Sequence, residues 1–425
     1  MHPDEQAIRQ TILESPSDDV ARLVYADWLQ EHDQTERADL LRTQIALECW
    51  WTERELSPNT LPGPPEWVLR ERKLLNKFAN EWTKHLRTPR LIRKNDQAKF
   101  RRGCIEAVAL EVAGAARCLA ELRHIEPIQE LSLSTVRTPD ALLDVFASPD
   151  LSTLRTLDLR CLPLAVSGGF HGRSLFGATH LESLRELRLG HNGIPDAILG
   201  LLLGSSWLNQ LRSVSLSDCR IDSFWMRNIA ESPHVRGLRS LDLSFNLIGA
   251  SGVESIARSP HLRQLRELRM SYNPLEDESI PLLVRGQWDH LVRLEMGRSR
   301  LTIDGMRWLA DGSRFPSLRW LNISGNTLND DGLFALMDGS MFGQLHGLDL
   351  SYGNLSAQAM IELVESPSVA NLFNLDLSYN AMTPAVVDAL VRSPHLSRLQ
   401  NIGCVPMRGS AQAALHRRFG TGVRV

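Results

Sequence analysis

The sequence predicts an α/β solenoid of about eleven repeats, each 26–30 residues long, preceded by a small all-α domain. Two observations carry this. Leucine-type residues at one register (131, 157, 187, 214, 241, 268, 294, 321, 348, 375 and 402) are separated by 26, 30 and then eight steps of 26 or 27 residues. Within each copy a period-two apolar core is followed by a helical pattern, so each copy reads as one strand and one helix.

The clearest copies run Leu184…Leu187…Leu189…Asn192, Leu238…Leu241…Leu243…Asn246, Leu265…Leu268…Met270…Asn273, Leu318…Leu321…Ile323…Asn326 and Leu372…Leu375…Leu377…Asn380. In each, the alternating apolar residues point inward and the residue between them points out. The closing Asn can bond backbone groups of a buried turn, and Cys219 and Ser299 read as weaker substitutes for it. Two residues further on, Ile194, Ile221, Ile248, Leu275, Leu301, Leu328, Leu355 and Met382 are expected to plug the core. Ser-Pro pairs at 232–233, 259–260, 366–367 and 393–394 end the helix, because proline cannot continue it and turns its predecessor extended. A lone strand–helix unit cannot bury its own apolar face, so the copies must stack.

This pattern resembles leucine-rich-repeat proteins of the ribonuclease-inhibitor-like type, over roughly residues 100–425. The resemblance implies a horseshoe with strands on the concave side and helices on the convex side. Phe100–Leu110 is expected to form a first, irregular strand of the N-terminal cap, and Ser410–Phe419 a closing helix. The single 30-residue step places extra chain at Ser167–Arg173, where glycines suit a binding loop or, more simply, a tolerated surface insertion.

Ahead of the repeats, residues 4–13, 18–31 and 35–49 read as helices, with Ser15-Pro16-Ser17-Asp18-Asp19 supplying a stop, an N-cap and first-turn acids. Val20, Leu23, Val24 and Trp28 share one face of the second helix. The run Arg22-Leu-Val-Tyr25-Ala26-Asp27-Trp28-Leu29, followed by Arg37-Ala-Asp-Leu-Leu-Arg-Thr-Gln44, resembles a small bacterial repeat-companion domain, though His32-Asp33-Gln34 replaces the usual glycine-containing turn. That resemblance implies architecture and no biochemical activity. The expected organisation is therefore 1–56 helical domain, 57–99 Pro-rich linker and basic helix, and 100–425 repeats with their caps.

Net charge is −3 overall, but residues 1–50 hold 11 acidic and 4 basic side chains while 51–103 hold 6 and 13, so these blocks are electrostatically complementary. The helix expected over 66–86 carries Trp67, Leu74, Phe78 and Trp82 with Arg70, Arg72, Lys73, Lys77 and Lys84, and cations continue at Arg87, Arg90, Arg93 and Lys94. Binding of nucleic acid through this helix is weighed against a plain solvated face. Six scattered cysteines read as reduced and mostly buried.

Hydrolase, P-loop and zinc motifs are missing, and neither Asn329-Asp330-Asp331-Gly332 nor the acids Asp18, Asp19, Asp27, Glu31 and Asp33 has metal-loop spacing. No catalytic residue, cofactor or metal is expected. The N-terminal Met1-His2-Pro3-Asp4-Glu5 lacks the make-up of a signal peptide and no apolar stretch spans a bilayer, so a cytoplasmic monomer is expected. The expected activity is non-catalytic binding of a protein partner on the concave strands. Candidate contacts are Asp158, Arg188, Asp242, Arg269, Glu295, Asp349 and Asp376 on the strands, with Phe245, Tyr272, Tyr352 and Tyr379 just beyond them. The alternative is regulation of a partner enzyme, such as activation of a nucleotide hydrolase through an exposed arginine like Arg188 or Arg269; it rests on fold analogy.

Overall fold

The computed structural model describes residues 2–53, 64–87, 97–134, 140–162, 170–178, 180–310, 314–404 and 410–424. Most of the Pro-rich break, the cations Arg90, Arg93 and Lys94, and the start of the 167–173 insertion lie outside the described residues. The chain divides into two compact units, Met1–Leu187 and Arg188–Val425.

Unit 1 opens with helices α1 (Pro3–Glu14), α2 (Asp19–Glu31), α3 (Thr35–Glu53), α4 (Pro65–Trp82) and α5 (Lys84–Arg87). Strands β1 (Gln97–Arg101) and β2 (Cys104–Glu111) come next, then α6 (Ala115–Leu122), β3 (Glu130–Ser134), α7 (Asp140–Ala147), β4 (Thr156–Asp158), α8 (Phe170–Phe176) and β5 (Glu186–Arg188), within which the unit ends. Asp18 caps α2 by accepting from the Val20 amide at 2.8 Å, as its position predicts.

The buried face of α2 is not the expected one. Val20 is 69% exposed, Leu23 41% and Val24 49%, whereas Ala21, Arg22, Tyr25, Ala26 and Leu29 are buried. The reason is Arg22. Its fully buried guanidinium reaches Glu106 at 2.5 Å and the carbonyls of Arg102 and Pro16, so a polar side chain fastens the helix to the first strands. Leucine periodicity cannot foresee a partner 84 residues away. The Tyr25-Ala26-Asp27-Trp28-Leu29 run is thus structural: the Tyr25 hydroxyl donates to Glu5 at 3.0 Å, and burial pushes its phenol up to about 12. Charge complementarity also shows as pairs, Arg70 with Asp39 at 2.6 Å and Arg102 with Asp19 at 3.3 Å.

The expected irregular first strand is instead a hairpin, β1 antiparallel to β2. Arg102 (φ 46°) and Gly103 (φ 77°) both occupy left-handed backbone, as a two-residue hairpin turn requires. A Cβ at Gly103 would strike Leu41 of α3, so the helices sit directly on this turn. Helix 66–86 is also broken, at Thr83, whose hydroxyl donates to the Ala79 carbonyl at 2.8 Å. Of the six cysteines, Cys104, Cys219 and Cys404 are buried, Cys118 is half-buried, and Cys49 and Cys161 are exposed, so burial is less general than expected. Cys161 projects from a turn at φ 61°.

Unit 2 repeats one module. Strands β6 (Ser213–Ser215), β7 (Ser240–Asp242), β8 (Glu267–Arg269), β9 (Arg293–Glu295), β10 (Trp320–Asn322), β11 (Gly347–Asp349), β12 (Asn374–Asp376), β13 (Asn401–Gly403) and β14 (Val423–Arg424) lie side by side in sequence order. Helix α9 (Asp196–Gly204) precedes β6, and between the strands run α10 (Ser223–Glu231), α11 (Ala250–Arg258), α12 (Ser279–Val284), α13 (Ile303–Ala310), α14 (Asn329–Met337), α15 (Ala357–Glu365) and α16 (Pro384–Arg392), with α17 (Ser410–Phe419) before β14. The register is uniform and parallel from β6 to β12, so Leu241, Leu268, Leu294, Leu321, Leu348 and Leu375 stack in one line, each no more than 2% exposed. Each such side chain contributes roughly 1.5–3 kcal/mol of burial. Ser232, Ser366 and Ser393 each end a helix and also cap the 3-10 turn that their prolines begin. No described helix is long and apolar enough to cross a membrane.

The turn after each strand is held by the asparagine. The Asn246 amide donates to the carbonyls of Leu216, Leu243 and Ser244, and its oxygen accepts from the amides of Cys219 at 3.1 Å and Ile221 at 2.8 Å in the preceding copy. Asn326 and Asn380 repeat this geometry. Cys219 and Ser299 donate to equivalent carbonyls at 3.3–3.5 Å but offer no matching acceptor. Beside Ser299 the Leu275 amide instead folds back onto its own Asn273 carbonyl at 2.8 Å. Replacing Asn246 with Ala takes the side-chain partner from the Leu216 carbonyl and from the Cys219 and Ile221 amides, while the Leu243 and Ser244 carbonyls keep bonds from Asn273 and from the Asp218 amide. We expect Asn246→Ala to cost about 3 kcal/mol in urea unfolding, with Cys219→Ala costing much less.

Candidate functional site

From β5 to β12 the residue three positions after each strand occupies left-handed backbone, from His191 (φ 59°) and Asp218 (50°) through Phe245 (60°), Tyr272 (59°), Arg298 (52°) and Gly325 (64°) to Tyr352 (54°) and Tyr379 (58°). Only glycine takes this conformation freely, and a bulky side chain there costs on the order of 1 kcal/mol. Core burial does not repay that cost, since Phe245, Tyr272, Tyr352 and Tyr379 are 43–57% exposed. They contact each other instead. Phe245 and Tyr272 stack with centroids 4.0 Å apart, and Tyr352 and Tyr379 with centroids 4.1 Å apart. The Arg298 guanidinium bridges the two pairs, 5.4 Å from the Tyr272 ring and 5.0 Å from that of Tyr352. It reaches across because Gly325 has no side chain: a Cβ there would lie 2.5 Å from Arg298 Cγ. The result is a continuous exposed ridge of four rings and one cation, each contact worth roughly 0.5–1 kcal/mol.

Beside the ridge runs the row of strand residues that face away from the leucines. Asp242, Arg269, Glu295, Asn322, Asp349 and Asp376 are paired in register across β7–β12 and are all half-buried. Asp242, Asp349 and Asp376 each accept from the amide of the serine two residues on, at 2.9–3.0 Å, and this fixes their carboxylates. Burial, with Asp376 and Glu295 nearby, pushes the Asp349 carboxyl up against the lowering effect of its two bonds from Ser351.

The expected residues do not form one set. Asp158 belongs to unit 1, is 4% exposed and is clasped by Arg160 at 2.7 Å. Arg188, half-buried, begins unit 2. Arg269 is not the exposed cation that the enzyme-regulator alternative needs. It lies between Glu267 at 2.7 Å and Glu295 at 3.4 Å, and Glu295 in turn binds Arg293. Asp242, Asp349 and Asp376 flank the aromatic ridge formed by Phe245, Tyr272, Tyr352 and Tyr379. Sequence reasoning found the rings and missed Arg298 and Gly325, although counting by 26 or 27 from Tyr272 leads to both.

Gly325→Ala should place a methyl against Arg298 in strained backbone. We expect a loss of about 1–2 kcal/mol and a weaker near-ultraviolet circular dichroism signal from the separated tyrosines.

Residues 237–257 and 316–337 match the family model described as Leucine Rich repeat. No curated protein matches the chain. Among solved structures it is similar to an internalin (inlF) of Listeria monocytogenes, 18% identical over 72% of this chain and 88% of that one, with a TM-score of 0.36. It is similar also to a Bacteroides fragilis protein, 17% identical over 57% and 72%, TM-score 0.42. A chain of the yeast Rad7 and Elc1 complex is 16% identical over 88% and 89%, TM-score 0.48. The matched segments are two of the copies and fall on strands β7 and β10 with their turns and helices, in phase with the other copies.

Proposed function

We propose that the chain is a non-catalytic protein-binding scaffold whose contact surface is the ridge from Phe245 to Tyr379 and the adjoining strand row. The observation that supports this most is the strained, exposed and mutually stacked ring series. Tyrosine, phenylalanine and arginine are the residues that anchor interfaces, and rings already ordered lose little entropy when a partner arrives. Binding is favoured over catalysis because the ionisable groups of the strand row are engaged by turn amides or by one another. In this reading the repeats are of the ribonuclease-inhibitor-like type, the N-terminal helices are a repeat-companion domain that caps the first strands, and the protein acts as a cytoplasmic monomer.

Two sets of substitutions test the surface. Affinity capture from the native cell, followed by mass spectrometry, should identify a partner whose recovery is lost on reversing Asp242, Asp349 and Asp376 to Lys. Tyr352→Gly and Tyr379→Gly relieve backbone strain, so stability should change by less than about 1 kcal/mol while affinity falls about thirtyfold, the effect of a 2 kcal/mol anchor. Unchanged capture by all of these variants removes this surface from the account.

A further inference from the structure

The opposite edge of the same sheet, where the chain enters the strands, has a different character. The segments 205–213, 232–240 and 259–267 run into β6, β7 and β8 and carry Arg212, Arg236, Arg239, Arg263 and Arg266, with His234 and His261, against one acidic residue, Glu267, which is paired with Arg269. Arg212, Arg239 and Arg266 hold one register, since the Arg212 carbonyl accepts from the Arg239 amide at 2.8 Å and the Arg239 carbonyl from the Arg266 amide at 2.7 Å. Their backbones therefore step along the edge at about 4.8 Å. Arg236 and Arg263 form a second row one turn earlier. Arg212, Arg236, Arg239 and Arg263 are exposed, and none of these four has a carboxylate within ion-pair distance among the described residues. The Arg212 guanidinium rests on the Gly237 carbonyl at 3.0 Å, which holds it beside Arg236.

A structural role does not account for all this charge. Helices α9, α10 and α11 end on this edge, and each C-terminus presents roughly half a negative charge. Three such ends offset about one and a half of the four exposed cations, and Glu231 at the end of α10 offsets about one more, in a chain whose net charge is −3. Further along the same edge His346 is held below the usual histidine range by burial and by Arg319 and Arg398, so the positive field continues there.

We propose that this edge binds an acidic polypeptide segment, a stretch rich in Asp and Glu, with Arg236, Arg239 and Arg263 as its main contacts. Planar guanidinium groups pair with carboxylates through two parallel hydrogen bonds. Same-face side chains of an extended peptide lie about 6.7 Å apart, within reach of flexible arginines on a 4.8 Å ladder. A single-stranded nucleic acid fits less well, because it gains much of its affinity by stacking bases on exposed rings. The three segments offer little of this: Trp207 is 5% exposed, and the imidazoles of His234 and His261 are half-buried.

The test is fluorescence anisotropy of a short labelled Glu-rich peptide with the full chain at low ionic strength, beside a single-stranded oligonucleotide of equal charge. The peptide should bind and weaken as salt rises. Arg236→Glu, Arg239→Glu and Arg263→Glu together should cost at least about tenfold in affinity, the three Lys variants should stay within about threefold, and Gln358→Ala, exposed on α15 away from both surfaces, should leave the affinity unchanged. Single Arg236→Glu and Arg263→Glu variants carry the test should the triple variant lose its circular dichroism spectrum. No peptide binding, unchanged affinity in the Glu variants, or tighter oligonucleotide binding through the same arginines overturns the proposal.

Discussion

An asparagine amide that recurs through unit 2, at positions 192, 246, 273, 326 and 380, underlies the rest of its architecture. A strand only three residues long leaves its turn inside the stack, with backbone N–H and C=O groups facing leucine side chains rather than water. Leaving such groups unpaired costs 1–3 kcal/mol each. Asn246, Asn326 and Asn380 supply two donors and an acceptor from one planar group, and so close their own turn while also tying down the turn of the copy before. The copies are therefore linked by polar bonds as well as by shared apolar surface. That linkage fixes the register, which leucine packing alone leaves free to slide.

The ridge follows from the same turn. The turn puts the residue before its Asn, Cys, Ser or Gly into left-handed backbone, and from His191 to Tyr379 that residue stands at the same place in each copy. Which side chain stands there is free of core constraints. A run with Phe, Tyr, Arg, Gly, Tyr and Tyr gives a stacked surface, while His191 and Asp218, paired at 2.9 Å, make the neighbouring stretch polar. The strand row beside it is tuned separately, by salt bridges near β8 and β9 and by serine-capped carboxylates near β11 and β12. One scaffold thus carries several independently variable stripes, and the arginine edge is another of them.

The periodic part of this architecture was legible in the sequence, because the core leucines and the asparagine answer to the same local geometry in each copy. What escaped was whatever depends on contacts between distant positions. The exposed face of α2 looked like its core face since Val20, Leu23 and Val24 are more apolar than Arg22, yet Arg22 has Glu106 to bury against. The β1–β2 hairpin was read as one strand because Arg102-Gly103 is a weak turn signal until Leu41 is seen packed on it. Arg298 and Gly325 escape for a different reason. Residue type singles out the tyrosines, whereas the register treats an arginine and a glycine as equal members of the row.

Hydrogen exchange followed by mass spectrometry tests the linkage most directly. The Ile221, Ile248, Leu301 and Leu355 amides lie in turns, outside any strand, but each donates to an asparagine oxygen of the next copy at 2.8–3.1 Å. The account predicts that they exchange as slowly as the strand amides beside them, opening only with the stack as a whole. Exchange at the rate of the exposed loops would mean that the asparagines do not join the repeats, and that the aromatic ridge has no rigid base.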